Sequence, residues 1–215
     1  MKYIKNSILI FGLIFTFSSV NAIDMPKLPG LGGGDKKEAA GKEYPDALNN
    51  DIKQLLELAN FAMYKFLDAL GNKEGAEAAK NNWECIKSDK SSVGDNIETL
   101  TKVSDTAKKA GEEQQATGEK LDKDAGKIAM EGMIPGVKSI MKWPVIKDRV
   151  TAFKDQAGMS GMLRAPKAIK GLVKALPKLP GAIKTQVSAA QTAQKFLTYS
   201  GVDTSKMKDS MSADI

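Results

Sequence analysis

From position 46 onward, apolar residues recur at every third or fourth position, the period that lays a single stripe along an α-helix. Ile52, Leu55, Leu56, Ala59, Ala62, Met63, Phe66, Leu67 and Leu70 form the strongest such stripe. Asp46 or Asn50 suits its N-cap, and Gly71 suits its C-terminal stop. A second helix over 73–87 places Ala76, Ala79, Trp83 and Ile86 on one side and ends in the turn-forming residues 88–92. The pair reads as a helical hairpin.

Steps of four and three then pick out Val93, Ile97, Leu100, Ser104, Ala107, Gly111, Gln114, Gly118, Leu121, Ala125 and Ile128. This heptad-like seam predicts one helix over 93–130, about 55 Å long if unbroken. Its small and polar centre favours packing within the chain over a self-paired coiled coil, which would keep larger residues at these positions.

Past residue 133, Pro135, Pro144, Pro166 and Pro180 each stand ahead of a periodic run and suit the first helical position, while Pro177 ends a helix. One run carries Ile146, Val150, Phe153 and Ala157; the last carries Ile183, Val187, Ala190, Phe196, Leu197 and Tyr199 before Gly201. Between them, residues 166–176 form the clearest amphipathic element. Lys167, Lys170 and Lys174 fall on one side, with Ile169, Leu172, Val173 and Leu176 roughly opposite. The fold class expected is all-α, an elongated bundle or array of about five to seven helices over 46–200.

The flanks follow other rules. Residues 1–22 combine Lys2 and Lys5, an apolar run from Ile8 to Phe17 and the small-residue site Val20-Asn21-Ala22, the pattern of a cleaved secretory signal peptide. At ten residues, this run falls short of the roughly 20 that span a bilayer. The expected location is therefore periplasmic or secreted. Residues 23–45 read as a flexible Pro/Gly linker, and the polar, aperiodic residues 201–215 as a disordered tail.

Charge divides the chain. Residues 23–133 hold sixteen lysines against twenty-one acids, a net of −5, whereas 134–199 hold twelve Lys and Arg against Asp148 and Asp155, a net of +10. An acidic front half (46–133) thus precedes a basic back half (134–200), hidden in a formal charge of +6.

Candidate chemistry is sparse. No histidine is present, which removes the usual neutral-pH base, the Ser-His-Asp and Cys-His constellations and most zinc sites. Asp122, Asp124, Gly126 and Glu131 suggest a calcium loop, but counting from Asp122 puts Lys127 where the glycine belongs and Met133 where the glutamate belongs. Gly30, Gly32, Gly33, Gly34 and Lys36 lack the preceding strand and following Ser or Thr of a phosphate loop. Pro-Lys-Leu-Pro-Gly occurs at 26–30 and 177–181 and reads as a turn in both places. No metal or cofactor is expected. The single cysteine, Cys85, reads as a small buried hydrophobe or as one half of an intermolecular disulfide.

The expected function is non-enzymatic binding or structural work in the cell envelope. Lys167, Lys170, Lys174 and Lys178 would contact an anionic membrane or an acidic protein partner, held by burial of Ile169, Leu172, Val173 and Leu176. The competing view is that this apolar face packs on the rest of the bundle and the lysines only keep the surface soluble. Two alternatives are a secreted membrane-active effector and a carboxylate-based glycan hydrolase with Trp83 and Trp143 lining its cleft. Specific nucleic-acid binding is not expected from a basic half with only Arg149 and Arg164 beside its lysines.

Overall fold

The structure, a computed structural model, describes residues 43–207; the signal-peptide, glycine-loop and first Pro-Lys-Leu-Pro-Gly assignments lie outside those residues, as do 208–215. Within them the fold is an all-α bundle of six helices: α1 (Glu43–Ala69), α2 (Lys73–Lys87), α3 (Val93–Thr117), α4 (Lys123–Arg164), α5 (Lys167–Ala175) and α6 (Leu179–Tyr199). A further helical turn begins at residue 205.

The strongest apolar stripe becomes the central element. Leu48, Ile52, Leu55, Leu56, Ala59, Ala62, Met63, Phe66 and Leu67 of α1 are all buried, and α2, α3, α4 and α5 each pack on this helix. α1 begins at Glu43, ahead of both proposed caps, so Asp46 and Asn50 are intrahelical and residues 43–45 belong to the helix; the rest of the proposed linker lies outside the described residues. Its end is as expected. Gly71 at φ 69° lets the Asn72 N–H reach the Leu67 carbonyl, and the Asn72 side chain then caps α2 through the Gly75 N–H.

The single helix expected over 93–130 is two helices. Gly118 at φ 79° turns its N–H back to the carbonyls of Gln114 and Gln115, and Asp122 caps α4 by accepting from the N–H groups of Asp124 and Ala125. The front of the seam, from Val93 to Gly111, is buried against α6 and α1. A heptad count cannot register a break placed where the seam residue is itself glycine.

Pro135 and Pro144 do not start helices; both lie inside α4. Each removes one backbone hydrogen bond, yet the helix continues because Met133, Val137, Trp143, Ile146 and Val150 must stay on the buried side facing α1 and α6. The prolines themselves are half-buried and exposed, respectively. Pro166 and Pro180 stand at the starts of α5 and α6 as expected.

The proposed tail is partly core. Val202 packs on the bundle and Thr204 and Met207 are buried. Gly126 admits this segment, because a Cβ there would lie 2.7 Å from a Val202 methyl.

Two buried polar chains set the register of the layers. Asn82 donates to Asn60 Oδ1 at 2.7 Å and to the Asn96 carbonyl at 3.2 Å, linking α1, α2 and α3. Trp143 Nε1 donates to Gln186 Oε1 at 2.7 Å, Gln186 Nε2 donates to Ser139 Oγ at 2.8 Å, and that hydroxyl donates to the Gly136 carbonyl at 2.7 Å. Pairing each group in this way avoids the cost of a buried, unbonded amide.

Candidate functional site

α5 divides as its sequence suggests, but its apolar side is already occupied. Ile169 and Leu172 are fully buried, Ala168 and Ala175 nearly so, and Val173 and Leu176 are half-buried against the same core. Ile169 and Leu172 therefore cannot be the groups that touch a partner in this fold. On the other side, Lys167 and Lys174 are exposed and Lys170 is half-buried; Lys178, exposed as well, lies past the end of α5 in the turn before α6.

The four lysines have unequal surroundings. Lys178 lies 3.8 Å from Glu98, a carboxylate that also holds Lys102 at 3.0 Å. The Lys102 hydrogen bond, helped by the charges of Lys102 and Lys178, keeps Glu98 below the usual carboxylate range. Lys167 contributes, after Lys53, to the field that lowers Asp89. Lys170 Nζ donates to the Leu163 carbonyl at 2.7 Å, tying α5 to the end of α4. Lys174 is in no ion pair among the described residues.

That end of α4 is irregular. Gly158 has φ 59° and ψ −170°, a conformation that L side chains rarely adopt, and it re-aims residues 159–164. Met162 packs on the core, whereas Met159 and Leu163, one turn apart, are 87% and 74% exposed. The chain then turns through Ala165 and Pro166 into α5. Residues 151–178 carry six cations and one acid, Asp155. Two bare apolar side chains thus lie in a cation-rich stretch of the chain, with Lys170 held against the Leu163 backbone.

Met159 and Leu163 do not stand out in sequence reasoning, which follows apolar residues along a common stripe. The available signal is their departure from it. At about 100° per residue from Val150, Phe153 and Ala157 stay on the stripe while Met159 and Leu163 fall roughly opposite.

Other features have a different character. Phe61, Tyr64 and Trp83 form a half-buried aromatic cluster between α1 and α2, with ring centroids 5.2 Å apart for Phe61 and Trp83, and Lys87 covers the Trp83 face at 4.6 Å. Trp143 is fully buried. A groove of about 620 Å³ runs between the start of α4 and residues 200–206, with apolar walls from Met130, Ile134 and Val202 and a rim of both charges. Cys85 is half-buried. Among the described residues no cluster of three or more Cys, Asp or Glu is arranged to hold a metal ion, and no helix is long and apolar enough to cross a membrane. Compared with known proteins, the chain matches no protein-family model, no curated protein and no solved structure.

Proposed function

We propose that this protein is an exported, non-catalytic binding protein of the cell envelope that associates peripherally with anionic membrane surfaces through the lysine side of α5. The observation that carries this reading is the segregation within α5: its apolar side is buried in the bundle while Lys167 and Lys174 are exposed and Lys170 is half-buried on the other side, with exposed Lys178 in the turn that follows. Lysines near an anionic leaflet each contribute about 1 kcal/mol, so a small group can hold a folded domain on a charged surface without unfolding it. Export is supported by the n-region, apolar run and small-residue site of residues 1–22.

Surface association fits the geometry better than permeabilisation by α5. Insertion of that helix would pull Ile169 and Leu172 out of the core and strip the covering from α1 and α3. A glycan cleft is disfavoured by Trp143, whose ring is buried and whose N–H is engaged by Gln186.

Co-sedimentation with phosphatidylglycerol-containing and pure phosphatidylcholine vesicles, at low and high salt, tests the proposal. The protein is expected to bind only the anionic vesicles, to be released by salt, and to lose binding when Lys167, Lys170, Lys174 and Lys178 are replaced together by glutamine. Absence of binding to anionic vesicles at low salt overturns the reading.

A further inference from the structure

We infer that Met159 and Leu163 form a lipid-inserting tip that docks the α4–α5 corner into an anionic bilayer, an inference that rests on the membrane reading of α5. The element begins at Gly158, whose positive φ ends the regular course of α4 and turns one short helical stretch outward. Met162 on that stretch packs inward, which fixes its rotation and leaves Met159 and Leu163 on the outer side. Exposures of 87% and 74% make them the two most exposed large apolar side chains among the described residues.

Charge identifies the occupant. Arg164 follows Leu163 directly, Lys154 lies four residues ahead of Gly158 in the preceding part of α4, and Lys167 and Lys170 follow on the next helix, with Lys170 bonded to the backbone of Leu163 itself. Lys154 and Arg164 make no ion pair among the described residues. A second copy docking symmetrically would set Arg164 and Lys170, which flank the tip, against their own copies, so self-association through the tip is opposed. A protein partner would need roughly 800 Å² on each side for a stable interface, far more than two side chains on a projecting turn supply. An anionic bilayer needs no matching pocket. It offers phosphates to the cations and an acyl boundary about 5–10 Å deep to the apolar side chains.

The two parts of the surface make separable contributions. Lysines give a salt-sensitive attraction, whereas burial of methionine and leucine is indifferent to salt. The purified protein, a Met159→Gln/Leu163→Gln variant and the four-lysine glutamine variant are compared for binding to vesicles of phosphatidylglycerol and phosphatidylethanolamine. Because both tip residues are solvent-exposed, the tip variant is expected to keep the parent's thermal midpoint. It is expected to bind at least about tenfold more weakly and to be released by salt more completely than the parent. A separate Leu163→Trp variant reports depth: its added fluorescence should shift to the blue on vesicles and be quenched by brominated acyl chains.

Parental affinity in the tip variant, or a Leu163→Trp signal that brominated chains do not quench, overturns the insertion while leaving the lysine reading in place. Failure of the parent to bind anionic vesicles overturns both. A parent that self-associates in solution and becomes monomeric in the tip variant, with vesicle binding unaffected, assigns the tip to a contact between copies and also overturns the inference.

Discussion

At the residue scale, glycine does three different jobs along this chain, and each predicts a different response to substitution. Gly132 and Gly136 of α4 lie against α1: a Cβ at Gly132 would fall 2.5 Å from Lys65 Cβ, and one at Gly136 would fall 2.6 Å from Ala62 Cβ. These atoms belong to the stems of helical side chains and cannot swing aside, so the helices would have to separate. Gly132→Ala is expected to destabilise the fold by about 1–3 kcal/mol in urea unfolding, despite alanine's better helix propensity. Gly181, near the start of α6, meets nothing within 4 Å and has no positive φ. Gly181→Ala should therefore stabilise by up to about 1 kcal/mol in the same assay. Gly158 also has open space, but its φ of 59° makes any L side chain strained there, so its value lies in backbone conformation alone.

At the scale of elements, the contacts between helices explain what the sequence could and could not reveal. α2 has the expected bounds, because its limits are written locally in Asn72, Gly71 and the 88–92 turn. The division at Gly118 and the passage of α4 through Pro135 and Pro144 were not legible. In the first case a turn residue sits in register with the apolar seam, and in the second burial against α1 and α6 outweighs the local cost of proline. The Trp143–Gln186–Ser139 chain is likewise a tertiary property of α4 and α6, with residues 43 and 47 positions apart brought together. Gln186→Leu would leave the buried indole N–H without an acceptor and is expected to cost about 1–3 kcal/mol, whereas Thr185→Ala beside it, on the accessible side, should cost much less. The turn between α2 and α3 is pinned to α1 by Lys53, whose ammonium lies 2.6 Å from Asp89. That hydrogen bond holds the Asp89 carboxyl below its ordinary value near 3.8. A lowered folded-state pKa contributes stability above the unfolded value and loses it as pH falls through the lower, folded one. Lys53→Met should therefore cost less than about 1 kcal/mol at neutral pH, given the exposure of Asp89, and the difference from the parent should vanish well below pH 3.8.

At the scale of the whole described bundle, the acidic and basic halves are partly stitched together and partly left open, and the open part decides where an anionic surface would be felt. Arg149 pairs with Asp51 and Lys178 approaches Glu98, so some of the basic half's charge is spent on the acidic half. The apolar side of the 166–176 element was legible as a stripe, but whether it faces core or partner was not, since both uses need the same pattern; packing assigns Ile169 and Leu172 to the core. The lysines opposite them inherit whatever charge the neighbouring helices do not neutralise. Lys178 shares Glu98 with Lys102, and Lys167 lies in the field of Asp89, whereas Lys174 is in no ion pair among the described residues. A cation already facing a carboxylate gains less from a lipid phosphate, because approach of the membrane also brings that carboxylate toward like charge. Single glutamine substitutions should consequently weaken binding to phosphatidylglycerol vesicles unequally. Lys174→Gln should approach the full ~1 kcal/mol of a lysine near an anionic leaflet, about a fivefold loss, and Lys178→Gln should cost clearly less. Titration of the single variants at one low ionic strength measures the order directly. Equal losses at the two positions would mean that simple net charge governs attraction, and a larger loss at Lys178 would place the contacting surface toward α6 instead of the α4–α5 corner.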